Sequence, residues 1–457
     1  MVNLQRLSIS STSLCIYLKC LCKNVSKYTR NRCFSSHAKH LNMENKSLFS
    51  EGNVNIFGKC QEGYEPVKDA FVKNFMSGQE VNASISVYVN QKCVIDMYGT
   101  ATKDTSYNSD CLQVSASRQI LSKLNNKRTL GQIMINALFF TIFQPIFSCG
   151  KNISSIVVAT LVDKGILQYD GKVAEYWPEF GINGKENIKI EDILRHEGGL
   201  TTLKHSFERN EFSRQNIKNN VLGNIIESCE AIYPKNHFNV DGTISKRSYH
   251  STTRGLILNE IVRRVDPKGR TIGEICREDL ELHDLYCGLS DKEFEQLTKL
   301  EANTLGWVAA QSLLPYFLGS SVHISIFDLY RLTRFMQGIR EKVGSQRPII
   351  KNLPKDPKDH HTTYEHPETR KGEIPSANFH GNARSLAKLA SIMANKGKCE
   401  ENGKQLFSEN TWTKMHDNST WADDAILGIV CKLAHISLTL IALNYSHNIF
   451  FLFGKIF

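Results

Sequence analysis

Three segments of this chain lack acidic residues altogether, and their positions decide how its net charge of +10 should be interpreted. Residues 1–43 contain seven Lys or Arg and no Asp or Glu, Val114–Gln144 contains four, and Val430–Phe457 contains two. Together these segments carry +13, so the rest of the 457 residues carries −3. A mildly acidic body argues against nucleic-acid binding, which needs a basic patch on the folded domain.

Several motifs that would indicate a metal or a nucleotide are also missing. None of the 13 cysteines forms a CxxC pair accompanied by a second CxxC or by paired histidines. His196 and Glu197 are followed by Gly198-Gly199-Leu200, so they do not make an HExxH motif. No P-loop, dinucleotide glycine pattern or repeat of 20–50 residues occurs. The sequence therefore predicts no metal and no cofactor, and its odd, scattered cysteines fit a reducing compartment.

The composition of the whole chain is that of a globular protein, with 41% apolar and 22% charged residues. Residues 1–43, rich in Lys, Arg and Ser, have the composition of a mitochondrial presequence. Lys19 breaks the apolar run that a secretory signal would need. We therefore expect a mitochondrial protein with one main domain over residues 44–428. The alternative is a cytoplasmic protein whose true start is Met43.

The residue pattern predicts an α+β (α/β) fold. Glu62–Ser77 has the periodicity of an amphipathic helix, and two alternating segments around Asn90-Gln91 predict a β-hairpin, Ala83–Val89 and Cys93–Tyr98. Pro354–Pro375 is polar and is expected to form a long loop. Helices are predicted through the rest of the domain: Asn152–Asp163, Ile190–Arg195, Gly255–Arg264, Ile272–Leu280 and Ala383–Asn395. Strands at the front followed by helices exclude a purely helical bundle.

Two acid-free segments look foreign to this domain. Val114–Gln144 is basic and then apolar, and it is open to three interpretations: an untranslated segment retained in the transcript, a genuine surface insertion, or an amphipathic helix that touches a membrane. The tail, residues 429–457, contains 22 residues between Lys432 and Lys455, enough to span a bilayer but interrupted by polar residues. A second retained segment is favoured there over a membrane anchor.

Ser148 and Lys151 form the strongest candidate for chemistry. A serine hydroxyl needs a neighbouring base to become nucleophilic, and a lysine three residues later lies on the same face of a helix. A helix N-terminus favours the neutral lysine and stabilises a developing oxyanion. The spacing is weak by itself, because it recurs at Ser36/Lys39 and Ser385/Lys388. Only Ser148 follows a strand-like segment and opens an apolar helix.

The surroundings of Ser148 contain further recognisable segments. In chain order they are Ile146–Lys151, Leu161–Leu167, Tyr176–Phe180, Ile193–Leu200, Tyr249–Gly255 and His380–Arg384. Together they resemble the β-lactamase-related serine hydrolases, a family that includes serine β-lactamases, DD-peptidases, family VIII-type esterases and the β-lactamase-like mitochondrial proteins of animals. The similarity extends over roughly residues 60–113 and 145–428, in the order of the family.

This resemblance implies a fold and a set of roles. The fold is an antiparallel sheet flanked by helices, with a large, mainly helical subdomain. Ser148 would be the acylated nucleophile, Lys151 would accept its proton, and Tyr249 would pass a proton to the leaving group. Ser251 would contact the substrate; it replaces the Asn that β-lactamases carry in the Tyr-x-Asn motif, which argues against β-lactam turnover. A small ester, amide or peptide is the expected substrate.

The chain departs from the family in its third motif. A Lys/His-Thr/Gly-Gly segment is expected after His380, and no such segment occurs; the similarity fades at Ala425–Gly428. We therefore expect a C-terminally truncated form that lacks the last sheet strands and is impaired as a hydrolase. A second hypothesis is a non-catalytic, self-associating mitochondrial protein on the same fold.

Overall fold

A computed structural model of the chain describes residues 13–18, 47–101, 144–294 and 366–440, except positions 78, 79, 81, 240, 283, 418, 428, 436 and 437. The atypical segment Val114–Gln144 lies outside these residues except for Gln144. Ser36/Lys39, most of residues 1–43, the first part of the predicted loop Pro354–Pro375 and the tail beyond residue 440 also lie outside them.

A five-stranded antiparallel sheet is formed near the front of the chain, in the order β1-β4-β5-β3-β2. Its hairpin β4–β5 confirms the prediction around Asn90-Gln91. Both turn residues have a positive φ, 48° and 59°, as a two-residue turn matched to the strand twist requires. The strands are β1 Ser13–Leu18, β2 Ser47–Glu51, β3 Val54–Cys60, β4 Asn82–Val89 and β5 Lys92–Thr100.

Helices make up most of the remaining described residues. Two of them lie against the sheet, and the others form a mainly helical subdomain. In chain order they are α1 Glu65–Met76, α2 Gly150–Asp163, α3 Val173–Tyr176, α4 Ile190–Leu194, α5 Arg214–Lys218, α6 Val221–Ser228, α7 Thr253–Val265, α8 Ile272–Glu278, α9 Asp291–Phe294, α10 Pro367–Lys371, α11 Ala383–Ala394 and α12 Glu409–Asp417.

The sheet is covered by a helix on each side. On one side α1 buries Phe71 and Phe75 against the strands, with their rings 5.2 Å apart. On the other side α11 packs on β4, and Arg384 forms an ion pair with the buried Asp96 of β5 at 2.6 Å. Coverage of both faces explains why β5 is buried from Val94 to its end. This arrangement agrees with the predicted fold class.

Helix α2 lies at the centre of the helical subdomain. Every residue from Gly150 to Leu161 except Asn152 is buried. The sequence predicted an apolar stripe on this helix, but the structure surrounds the helix on all sides. The buried hydroxyls of Ser154, Ser155 and Thr160 donate to carbonyls of the helix itself. Helix α7 packs against α2 and is buried over most of its length. The residues that begin these two helices therefore meet in the interior.

Two small three-stranded sheets complete the described structure. The first, in the order β6-β8-β7, lies beside the start of α2 and is formed by β6 Gln144–Pro145, β7 Leu285–Tyr286 and β8 His380–Gly381. The second, in the order β11-β10-β9, is formed by β9 Thr420–Asp424, β10 Ile429–Leu433 and β11 Leu438–Leu440. The first residues of the apolar tail are therefore strands that pair with the domain.

One expectation is changed by these elements, and another lies mostly outside the described residues. The described end of the predicted loop Pro354–Pro375 contains α10, which begins at Pro367, a favourable first helical residue, and has basic residues in its last turn. The predicted tail segment Leu433–Gly454 is described only to residue 440, where it is extended. Among the described residues, no helix has the length and apolar character that a bilayer span requires.

Candidate active site

Ser148 lies in a tight turn between β6 and α2. The turn, Phe147–Cys149, is a single 3-10 turn that leads directly into the helix. Phe147 has a φ of +44°, which is unfavourable for a side chain of this size and costs on the order of 1–3 kcal/mol. The main chain before it is fixed, because Ile146 N donates to Phe379 O at 2.8 Å. The strained turn therefore places a half-buried Ser148 where α2 begins.

Gly150 allows this turn to lie close to the neighbouring loop. A Cβ atom at this position would come within 2.4 Å of Pro375 O and 2.8 Å of the Phe379 ring. A glycine two residues after Ser148 is therefore required by close packing, and not by any role in chemistry.

Lys151 is buried, and its ammonium group lies between three oxygen atoms. Its Nζ is 2.6 Å from Ser251 O, 3.1 Å from Ser376 O and 3.3 Å from Ser148 Oγ. Burial lowers the pKa of Lys151 well below its ordinary value, and the charge of Arg254 lowers it further. With two N–H groups bound to carbonyls, the lone pair of a neutral Lys151 is directed at the Ser148 hydroxyl. This is the geometry of a general base.

Arg254, in the first turn of α7, supplies the positive charge beside Lys151. Its guanidinium donates to Lys151 O at 3.0 Å, Leu194 O at 3.2 Å and Ser155 Oγ at 2.6 Å. Burial lowers the pKa of Arg254 to about 10, so it is still charged at neutral pH. All these partners are neutral oxygens, so the charge is held in place and is not cancelled by them. The same bonds lock α2 to α7.

Tyr249 approaches Ser148 from the other side. Its phenol oxygen is 2.8 Å from Ser148 Oγ, and Lys151 Nζ lies 4.9 Å from the centre of its ring. Burial raises the pKa of Tyr249, while the bond to Ser148 and the charge of Arg254 act in the opposite direction. The phenol is therefore protonated at neutral pH and can donate a proton.

The structure brings Ser148, Lys151 and Tyr249 together, and their catalytic roles stay predictions. Ser251 takes part differently: its carbonyl oxygen binds Lys151, while its side chain is exposed. Ser376 and Arg254 were missed as site residues. Arg254 stands in the segment that resembles the family, which was a usable signal. The carbonyl of Ser376 could not be found from sequence, because a backbone contact does not depend on the side chain.

A metal-dependent site is not indicated by the described residues. No group of three or more His, Cys, Asp or Glu side chains among them is close enough to hold a metal ion.

Comparisons with known proteins match this chain to a family. Residues 140–437 match the sequence model of the Beta-lactamase family. The chain is 25% identical over 265 residues to the "Esterase/beta-lactamase LipL" of Mycobacterium tuberculosis (strain ATCC 25618 / H37Rv), which covers 56% of this chain and 51% of that protein. The chain therefore spans about half the length of this curated relative.

Solved structures show the same fold at low identity. A penicillin-binding protein homologue from Caulobacter crescentus superposes with a TM-score of 0.58 at 22% identity, covering 84% of this chain and 82% of its own. A family VIII carboxylesterase superposes with a TM-score of 0.57 at 20% identity, covering 86% and 85%. These likenesses show the fold.

Proposed function

Because the chain belongs to the beta-lactamase family, we propose that it is a serine hydrolase that cleaves carboxylic esters through an acyl-enzyme on Ser148. The observation that carries this proposal is the contact of one hydroxyl with two groups of suitable protonation. Ser148 Oγ lies 3.3 Å from Lys151 Nζ and 2.8 Å from the Tyr249 phenol. A base and an acid on either side of one nucleophile are what acyl transfer requires.

In the acylation step, neutral Lys151 takes the proton of Ser148 as Oγ attacks the carbonyl carbon of the ester. The carbonyl double bond opens to an oxyanion beside the N-terminus of α2, whose dipole favours negative charge. When the oxyanion collapses, the bond to the alkoxide breaks, and the Tyr249 phenol supplies the proton that the alkoxide needs. The proton on Lys151 then returns to Tyr249, so the products are an acyl-serine and an alcohol.

In the deacylation step, a water molecule takes the place of the alcohol. Neutral Lys151 accepts a proton from the water as its oxygen attacks the acyl carbon, and the released Ser148 Oγ regains a proton from the Lys151–Tyr249 pair. The carboxylic acid leaves and the starting protonation state is restored. One proton passes through the pair in each direction, so no cofactor is needed for the balance.

Esters are proposed ahead of β-lactams for a reason that lies in Ser251. At this position β-lactamases carry an Asn, whose amide donates two hydrogens from its nitrogen and accepts at a separate oxygen, whereas the hydroxyl of Ser251 has one hydrogen to donate and only one polar atom. A Mycobacterium tuberculosis relative is named an esterase/beta-lactamase and one solved relative a carboxylesterase, which supports the same substrate class. Small amides and peptides are the next candidates. Mitochondrial location and self-association stay predictions.

An activity-based probe tests the nucleophile. A fluorophosphonate should label the full chain once, at Ser148, and mass spectrometry of the labelled peptide should locate the phosphonate there. Ser148→Ala should remove the label. Ser385→Ala is the matched control, because it has the same SxxK spacing, and it should label as fast as the wild type. Labelling that survives Ser148→Ala, or a folded wild-type chain that is not labelled, would contradict the proposal.

A further inference from the structure

The segment that carries Tyr249 is held by three consecutive main-chain N–H groups. Ser248 N donates to His196 O at 2.9 Å, and His250 N donates to His196 Nδ1 at 2.9 Å. Between them, Tyr249 N donates to Asp424 Oδ1 at 3.2 Å. His196 and Asp424, which are far apart in the chain, therefore both hold the segment Ser248–His250 through its main chain.

Asp424 lies at the end of β9 and is fully buried. Its Oδ1 also accepts the N–H groups of Ile426 and Leu427, both at 2.9 Å, so it caps the turn that follows the strand. Its Oδ2 has no hydrogen-bond partner among the described residues. A buried carboxylate oxygen without a partner is costly, and such a group is retained only where the structure gains something from it.

His196 is held in an unusual main-chain conformation. It follows α4 with a φ of +64°, and both its carbonyl and its ring face the Tyr249 segment. Burial lowers the pKa of His196 well below its ordinary value, so the ring is neutral. Because Nδ1 accepts a hydrogen bond, the ring proton is assigned to Nε2. The ring lies 4.8 Å from that of Tyr249, centre to centre, and so limits its lateral movement.

We propose that His196 and Asp424 are positioning residues that together fix the phenol of Tyr249 at Ser148. This inference rests on the proposed function. Neither residue contacts Ser148; both act on the main chain from which the phenol projects. The phenol oxygen is at the far end of its side chain, so a small rotation of the segment moves it away from Ser148 Oγ. Misplacement by about 1 Å can reduce a rate about 10²-fold.

Comparing asparagine with alanine substitutions at His196 and Asp424 distinguishes a displaced Tyr249 from a destabilised fold. Asp424→Asn keeps an oxygen at Oδ1, and His196→Asn keeps an acceptor near Nδ1 and tolerates a positive φ. Asp424→Ala and His196→Ala remove the acceptor. We expect each alanine variant to lose about 10²-fold in kcat on a p-nitrophenyl ester, with KM changed by less than about threefold. Each asparagine variant should recover most of that loss. If His196 and Asp424 only stabilised the fold, the asparagine variants would not restore kcat selectively.

The charge of Asp424 gives a second readout. Tyr249 is faced by Lys151 from the start of α2 and Cys149 from the turn before it, by Arg254 from α7, by the neutral His196 ring, and by Asp424 from β9. The negative charge of Asp424 raises the pKa of Tyr249. Asp424→Asn keeps the geometry but removes that charge, so the Tyr249 pKa should fall. His196→Asn changes no charge and should leave the pKa of Tyr249 unchanged.

Labelling with tyrosine enriched in ¹³C at Cζ makes this test independent of turnover. The Tyr249 resonance is assigned by its loss in Tyr249→Phe, and its pH titration is followed in each full-length variant. We expect a titration shifted to lower pH in Asp424→Asn and a displaced or broadened resonance in both alanine variants.

Failure of this inference differs from failure of the proposed function. A chain that is not labelled at Ser148 contradicts the function, while the Tyr249 resonance still reports on position. The inference is wrong if both alanine variants keep the wild-type kcat and resonance, or if Asp424→Asn leaves the Tyr249 titration unchanged. If an alanine variant does not fold, the Tyr249 titrations of Asp424→Asn and His196→Asn test the inference instead.

Discussion

Among the described residues, two segments carry the same Ser-x-x-Lys spacing, and only one of them forms a candidate site. In the first, Ser148 lies in the turn before α2 and contacts Lys151 and Tyr249. On α11, the Ser385 hydroxyl bonds to Asp284 O and Asn382 O, close to its own helix cap. Lys388 turns away, with 43% of its side-chain surface exposed. The same spacing therefore gives a buried candidate site in one segment and an exposed lysine in the other.

The difference lies in what each lysine meets. Lys388 pairs with the carboxylate of Glu401 at the surface. Lys151 is 7% exposed, its hydrogen-bond partners are two carbonyls and a hydroxyl, and its nearest charge is the cation Arg254. A lysine that acts as a base needs burial and no neighbouring negative charge, and the Ser-x-x-Lys spacing specifies neither condition.

The largest difference between the two segments is expected when their lysines are replaced. Lys151→Ala removes the group that accepts the Ser148 proton, so kcat/KM for a p-nitrophenyl ester should fall by about 10⁴-fold or more. Lys388→Ala should leave it unchanged. Steady-state hydrolysis of both purified variants checks this, with circular dichroism to confirm folding. Equal rates for Lys151→Ala and wild type would remove Lys151 from the mechanism.

Tyr249→Phe should have the next largest effect. The ring and its packing on His196 are kept, but the proton donor to the leaving group is lost, so kcat should fall about 10²–10³-fold. The loss should be smaller for esters with acidic leaving groups such as p-nitrophenol than for alkyl esters, because a good leaving group needs less protonation. A loss that is the same for both kinds of ester would contradict the role of Tyr249 as the acid.

The spacing in the sequence indicated Ser148 and Lys151, and only the family resemblance of its segment indicated Tyr249. The hairpin at Asn90-Gln91 was predictable because its turn and its alternation lie within a few residues. Ser376 and Asp424 were not predictable. Each joins the site through contacts across 100 or more residues of chain, Ser376 through its carbonyl and Asp424 through a main-chain N–H. No local pattern records such contacts.

A smaller effect is expected at the third position of each tetrapeptide, which is Gly150 on α2 and Ala387 on α11. Gly150→Ala would place a methyl group 2.4 Å from Pro375 O, so it should lower the free energy of unfolding by about 1–3 kcal/mol. Ala387→Gly creates no clash and should cost about 1 kcal/mol through helix propensity. Urea unfolding of both variants checks this. Ester hydrolysis should fall with Gly150→Ala only, because the turn at Ser148 has to shift.

The smallest expected effect concerns the ion pair that keeps Lys388 away from chemistry. Both partners are about half exposed, so water and salt weaken their attraction, and the double-mutant cycle of Lys388→Ala and Glu401→Ala should give a coupling of less than about 1 kcal/mol. That coupling should vanish in 1 M NaCl. Urea unfolding of the four proteins at low and high salt measures it. A coupling well above 1 kcal/mol that survives salt would mean that Lys388 lies in a less solvated setting than the structure gives it, and the contrast with Lys151 would then have to rest on the missing tyrosine partner instead of on burial.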